Sequence, residues 1–359
     1  MSMYDVLIIG AGPGGIFTAY ELIERRPDLK IAIFEHGHEL SRRKCPIDGE
    51  KIKSCIHCNC CSIMSGFGGA GAFSDGKYNI TNDFGGTLYE YIGKKNAIEL
   101  MEYVDKINLK FGGEGTKLYS TAGTKFKKTC MQHGLHLLDA SVRHLGTDIN
   151  YVVLEHLYDH LKDKVDFYFD CCIDTVEKTE EGYRVYSGER AFEGKKCVIS
   201  AGRSGSKWME KVCADLEIPT NSNRVDLGVR VELPAEIFSD LTDELYESKI
   251  VYRTEKYEDN VRTFCMNPKG AVVNENTNGI VTVNGAMRIP RSRRRTRISH
   301  CSWRSTSPSR SRIRTNMARA SRVSATCSAA VSSCSASVIS SVASGVPSSV
   351  SGSPSPYRH

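Results

Sequence analysis

The stretch YDVLIIGAGPGGIFTAYELIERRPDLKIAIFE, residues 4–35, constrains the fold more than any other part of the chain. Tyr4 to Ile9 is an apolar run that predicts a strand. Gly10, Gly12 and Gly15 follow as G-x-G-x-x-G, with Pro13 and Gly14 between them. Ile16, Ala19, Tyr20 and Ile23 then recur at helical spacing to about Arg26. KIAIFE predicts a second strand ending at Glu35, twenty residues beyond Gly15. Each part has a physical task. Gly10 permits the tight strand-to-helix turn, Gly12 lets backbone approach a pyrophosphate, and Gly15 lets the helix lie close to the strand. The helix N-terminus offers unpaired N–H groups to phosphate. Glu35 is placed to accept hydrogen bonds from ribose hydroxyls and would repel a 2′-phosphate. The whole strand–glycines–helix–strand–Glu series points to a dinucleotide-binding α/β domain.

A chain of 359 residues has room for about two domains. No basic leader opens MSMYDVLIIG, and no apolar run approaches the ~20 residues of a membrane helix. A cytoplasmic protein without a membrane partner is expected. Fourteen cysteines in such a chain suggest metal binding, redox work or free thiols rather than a disulfide scaffold.

The formal charge of +6 is unevenly spread. The last acidic residue is Glu275, and residues 287–359 hold 13 Arg and 22 Ser but no Leu, Phe, Gln, Lys, Asp or Glu. Residues 1–286 therefore carry 35 Lys plus Arg against 42 acids, a balance of −7. Without Leu or Phe the last segment lacks the apolar surface to offset chain entropy. Three readings compete: an Arg/Ser tail that binds nucleic acid through its charge, a disordered linker, and a reading frame that changes near Gly285. Arg crowds the first half and Ser the second, directly after the strand-like GIVTVNG. That pattern favours the frame change and predicts no stable fold for residues 286–359.

Residues 196–205, KCVISAGRSG, form a second apolar run ending in Ala201, Gly202 and Arg203. The preceding residues 165–194 scan as short strands with a Glu-Gly turn at 181–182. Together with CSIMSGFGGAGAFSDGK (61–77), RHLGTD (143–148), VDLGVRVE (225–232) and TFCMNPKGAVV (263–273), these blocks make residues 1 to about 285 resemble the glutathione-reductase-like flavoproteins. More narrowly, the chain is similar to a bacterial family of NAD(P)/FAD-dependent oxidoreductases, or FAD-dependent dehydrogenases.

The resemblance implies a Rossmann-like FAD-binding domain, a parallel sheet plus β-meander, over residues 1–220. Its segments are about 1–80 and 150–220, with a mainly helical insertion at 86–150. An α+β substrate domain begins at 221–285, and the fold is C-terminally incomplete because the final glycine-rich return to the flavin is missing. The resemblance also places Gly68, Gly69, Gly71, Ser74 and Asp75 along the cofactor, Ala201, Gly202 and Arg203 over its phosphates, and Ile173 among its contacts. Arg43, like Arg42 and Lys44, follows Glu35 closely; phosphate or adenosine contact and a solvated basic face are both open.

Cys45, Cys55, Cys58, Cys60 and Cys61 lie within seventeen residues. Cys45, Cys55 and Cys58 with Cys60 or Cys61 offer four sulfur ligands for zinc or an iron–sulfur cluster; a redox dithiol and unliganded thiols are the alternatives. For the chemistry, His144 is the candidate acid/base and Arg143 the candidate clamp for a substrate carboxylate. His133, His136, Lys77 and Cys265 are outside candidates. The single G-x-G-x-x-G means that NAD(P)H, if used, binds transiently. The leading function is FAD-dependent oxidation or reduction of a small organic substrate. An electron carrier with a cysteine-bound cluster and an inactive truncated flavoprotein with a nucleic-acid-binding tail are the alternatives.

Overall fold

A computed structural model of the chain describes residues 3–48, 50–52, 55–221, 227–277, 280–286 and 296–304. The chain divides into two compact units. The first comprises residues 1–78, 102–117 and 143–223; the second comprises 79–101, 118–142 and 224–359.

The first unit is built on a six-stranded sheet. Its strands are β1 (Tyr4–Ile9), β2 (Ile31–Phe34), β3 (Asp166–Tyr168), β4 (Thr175–Lys178), β5 (Tyr183–Ser187) and β6 (Arg190–Ile199), in the order β3-β2-β1-β6-β5-β4. The four strands β3, β2, β1 and β6 are mutually parallel, with Val6 opposite Ile31 and Lys196. The other two join antiparallel as a meander, Phe192 opposite Val185 and Val176 opposite Val185. This is the Rossmann-like parallel sheet with appended β-meander that the sequence implied.

Why β1 and β2 lie in the centre is legible in their composition. LII and IAIF are apolar without alternation, which suits strands covered on both faces. Helix α1 (Pro13–Arg25) covers one face with Gly15, Ile16, Ala19, Tyr20 and Ile23. Helix α2 (Gly146–Leu161) adds Val153, Leu154, Leu157 and Leu161 to the same core, which also holds Ile107, Phe111 and Phe67. Each such fully buried Leu or Ile contributes roughly 1.5–3 kcal/mol. The opposite face packs Leu7, Ile9, Phe34, Val176, Val185 and Phe192, with Val212 of helix α3 (Ser206–Asp215).

Segment 102–117 belongs with the first unit, so the expected insertion 86–150 does not form one body. The reason is apolar: Ile107 and Phe111 complete the α1 core. Helices Leu88–Ile92, Lys94–Asn108 and Lys125–Gln132 do make that stretch mainly helical, with short strands at Leu118–Ser120, Leu135–Leu137 and Ser141–His144.

The second unit carries a five-stranded antiparallel sheet in the order Leu227–Pro234, Thr296–Arg304, Asn260–Asn267, Ile250–Arg253, Leu135–Leu137. Phe126, Leu137, Phe238, Leu241, Ile250 and Met266 form its core. The strand Thr296–Arg304 corrects the expectation that residues 286–359 contain no ordered element. TRISHCSWR carries Thr, Ile and Trp, residues that favour strands, and it pairs with neighbours on both sides. Residues 287–295 and 305–359 lie outside the described residues, and the expectation for them stands only as a reading of composition.

Candidate dinucleotide site and its acid/base cluster

The carboxyl ends of the parallel strands converge at the G-x-G-x-x-G turn. Gly10 has φ +102°, and a Cβ there would lie 2.6 Å from the Ser200 carbonyl oxygen. A Cβ on Gly15 would lie 2.0 Å from the Gly10 oxygen. Both residues are glycine because the protein itself fills their space. Gly12 differs: a Cβ there meets nothing nearer than Gly69 Cα at 4.0 Å. Its missing side chain leaves a cradle that a Cβ would fill. Gly12 caps α1 without any side-chain hydrogen bond, and Pro13 is the first helical residue. The first-turn N–H groups of Gly14 and Gly15 thus face the cradle's end of the helix dipole. Gly71 also keeps its α-carbon clear, a Cβ there having only Pro13 Cγ at 4.0 Å. Ser200 Oγ donates to the Gly10 oxygen at 3.1 Å and ties the end of β6 to the turn. Ala201, Gly202 and Arg203 follow directly, before α3.

Glu35 is buried. Its Oε2 accepts the Ala11 N–H at 2.8 Å, and its Oε1 accepts those of Gly37 at 2.8 Å and Gly66 at 2.9 Å. The carboxylate therefore binds the glycine turn to the 65–66 loop, a role beyond the expected ribose contact. Arg43 is buried too, not part of a solvated face. Its guanidinium donates to the carbonyl oxygens of Ser62 (2.9 Å), Ile63 (2.9 Å) and Phe67 (2.5 Å), and lies 4.9 Å from the Phe73 ring centroid. Burial lowers its pKa from the usual arginine value. It clamps the loop leading to Gly68, whose N–H donates to Ala11 O at 2.8 Å. Arg42 pairs with Asp170, Nη1 to Oδ2 at 3.0 Å, and His38 bonds the other oxygen of the same carboxylate. Ile173 is a core residue of the meander face, 5% exposed among Val176, Val185 and Phe192. Its side chain packs in that core.

From Gly71 the loop runs into a polar cluster. Asn150 Nδ2 donates to Gly71 O at 2.9 Å and Ala72 O at 3.3 Å, and Tyr78 O–H donates to Asn150 Oδ1 at 3.0 Å. Ser74 Oγ donates to Gly71 O at 2.8 Å. Asp75, 8% exposed at its side chain, meets His144 Nε2 through Oδ1 at 2.9 Å. Lys77 Nζ lies 3.8 Å from Asp75 Oδ2. The structure so brings together three residues the sequence had placed in separate roles. Asn150 and Tyr78 were not singled out from sequence. The available signal was a polar residue, Asn150, on the buried stripe of α2 with Val153, Leu154 and Leu157.

Arg143 does not join this cluster. Its Nε and Nη2 hold Asp105 at 3.0 and 2.7 Å, and its Nη1 donates to Thr116 O at 2.7 Å. The bidentate edge that would clamp a substrate carboxylate is already taken. Successive strand residues face opposite ways, so Arg143 and His144 could not both reach one site. His133 caps the helix Lys125–Gln132, His136 is exposed on strand Leu135–Leu137, and Cys265 lies on strand Asn260–Asn267, all in the second unit.

Cys45, Cys55, Cys58 and Cys61 are exposed free thiols and Cys60 is half-buried. Among the described residues no three His, Cys, Asp or Glu side chains converge as a metal-binding group. The expected zinc or iron–sulfur ligand set is not assembled in this loop.

No family model matches the chain. A curated protein of Clostridium beijerinckii, described only as uncharacterized, is 24% identical over 279 residues, 74% of this chain and 45% of its own. The chain spans less than half the length of that relative. Among solved structures, glycine oxidase from Geobacillus kaustophilus is similar over 86% of this chain and 74% of its own, at 14% identity and a TM-score of 0.40. The halogenase PltM is similar over 84% and 51%, at 14% identity and a TM-score of 0.38. CtdE in complex with FAD is similar over 86% and 61%, at 11% identity and a TM-score of 0.37. The α/β class of the first unit rests on its own strand order and glycine turn, not on these distant likenesses. No described helix is long and apolar enough to cross a membrane.

Proposed function

We propose that the first unit binds FAD across the Gly10–Gly15 turn and that the chain is a flavin-dependent oxidoreductase of a small organic substrate. The observation that carries this reading is Gly12. It alone of the three fingerprint glycines has open space where its side chain would be, at a helix end with unpaired N–H groups. FAD is favoured over NAD by the meander β4–β5 and by the return of β6 beside β1, the feature on which the flavoprotein resemblance rests. NAD(P)H is read as a transient reductant only. Gly12, Gly14, Gly15, Gly69 and Gly71 would hold the diphosphate side, with Ala201 to Arg203 at the neighbouring strand end. The flavin, when bound, supplies hydride or single-electron transfer.

His144 is the acid/base. With Nε2–H donated to Asp75, the lone pair that takes up a proton sits on Nδ1, and the Asp75 contact holds the ring in place. Lys77 stands beside the second carboxylate oxygen of Asp75, at 3.8 Å.

The test is flavin fluorescence from heat-treated protein, before and after reconstitution with FAD. Stoichiometric release supports the reading; no release even after reconstitution refutes it. In a substrate screen on the reconstituted protein, His144→Ala is expected to lower kcat at unchanged flavin content. An unchanged kcat removes His144 from the chemistry.

A further inference from the structure

The cysteine loop is the sequence feature that neither the cradle nor the acid/base cluster uses. Its thiols differ from one another. Cys60 is half-buried and donates to His36 O at 3.8 Å, and burial pushes its thiol pKa up. Cys61 begins an anchored turn: its carbonyl accepts the N–H groups of Met64 at 2.9 Å and Ser65 at 2.8 Å, and Arg43 clamps the next two carbonyls. Cys55 and Cys58 are exposed, with Ile56 and His57 exposed between them. His57 takes φ +54°, in the left-handed region, and its N–H donates to Cys55 Sγ at 3.5 Å. That contact holds the Cys55 sulfur at the solvent-facing surface of the loop, and a cysteine reacts as its thiolate. C-x2-C is also the spacing of reversible protein dithiols.

We infer that Cys55 and Cys58 form a solvent-facing dithiol site that exchanges with small disulfides, Cys55 attacking and Cys58 resolving. The Cys55 thiolate attacks one sulfur of the small disulfide, forming a mixed disulfide and expelling one thiolate. Cys58, deprotonated by solvent, then attacks Cys55 Sγ, closing the Cys55–Cys58 bond and expelling the second thiolate. Two protein thiols are oxidised and one small disulfide is reduced to two thiols, so electrons and protons balance. The site needs neither flavin nor metal. Cys58 and Cys61 share the same spacing, but the sulfur that accepts an N–H is that of Cys55.

The test treats the reduced full-length chain with oxidised glutathione, blocks remaining thiols and maps peptide 54–77 by mass spectrometry. The wild type and Cys61→Ser are expected to show a Cys55–Cys58 link and no retained glutathione on either residue. Cys58→Ser is expected to trap glutathione on Cys55, and Cys55→Ser to lose the link. The inference is overturned if the link survives in Cys55→Ser, if Cys61→Ser abolishes it, or if the wild type carries glutathione on both residues without a link. Because all three variants replace exposed or loop thiols, circular dichroism of each verifies that the readout compares folded chains.

Discussion

A methyl group on Gly15 would lie 2.0 Å from a backbone oxygen, whereas one on Gly12 would touch only an α-carbon at 4.0 Å. The two positions separate folding from binding. Gly15→Ala is expected to lower stability by about 3 kcal/mol, because backbone on both sides must shift. Gly12→Ala is expected to leave the melting temperature within about 1 °C and weaken FAD binding by about tenfold or more, since a backbone that could approach a diphosphate no longer can. Thermal melts and a flavin fluorescence titration check both. Glu35 carries a third residue-scale expectation. Glu35→Gln turns an acceptor of backbone N–H groups into a partial donor facing them. The loss is about 2 kcal/mol, a fall of about 4–8 °C in Tm for a unit of this size.

Helix α2 and the Gly71 loop are joined by Tyr78 and Asn150, and a pH measurement reports on that junction. Burial, with a smaller push from the Asp105 charge, raises the Tyr78 phenol to about 12 from an ordinary value of 10.0. An acid whose folded pKa is raised stabilises the fold through its neutral form. That contribution is complete below pH 10 and is lost as pH rises toward 12, by at most about 3 kcal/mol. Tyr78→Phe should therefore be less stable than the wild type at pH 8, for want of the Asn150 hydrogen bond. Its stability should then fall less between pH 10 and 12. Urea unfolding at each pH measures the difference between the two curves; parallel curves would place Tyr78 in solvent. The buried Arg143–Asp105 pair gives the second element-scale expectation. Asp105→Asn leaves a buried guanidinium without its counter-charge and is expected to cost about 3–5 kcal/mol. Asp105→Leu combined with Arg143→Met should recover most of that loss. Recovery of stability with flavin content intact would mark Arg143 as a structural residue.

At the scale of the whole molecule, the second unit depends on a strand from the Arg/Ser-rich segment. Thr296–Arg304 lies between Leu227–Pro234 and Asn260–Asn267, so its removal leaves two rows of backbone groups without ladder partners. Truncation after residue 304, which keeps this strand, is expected to retain the total strand signal and the Tm of the second unit. Truncation after residue 286 is expected to reduce strand signal and lower the Tm of the second unit by several degrees, while the first unit keeps its own transition. Equal melts for the two truncations would show that the strand contributes nothing.

What the sequence by itself determined is the local frame of the first unit. Strand Tyr4–Ile9, the glycine turn, helix Pro13–Arg25 and strand Ile31–Phe34 follow from apolar periodicity, conformational freedom at Gly10 and a proline at the first helical position. All are set by neighbours within a few residues. The meander was legible for the same reason, through its short strands and the turn at 181–182. Tertiary structure alone decided which polar side chains meet. Arg143 and His144 are adjacent in sequence, yet one closes on Asp105 and the other on Asp75, residues 38 and 69 positions away. The sequence left Arg43 open between a phosphate or adenosine contact and a solvated face; the structure buries it as an internal clamp, because three carbonyls of the 62–67 loop converge on it. Burying a cation or a carboxylate requires partners brought from distant segments to within hydrogen-bond reach, and residue spacing along the chain holds no record of that convergence.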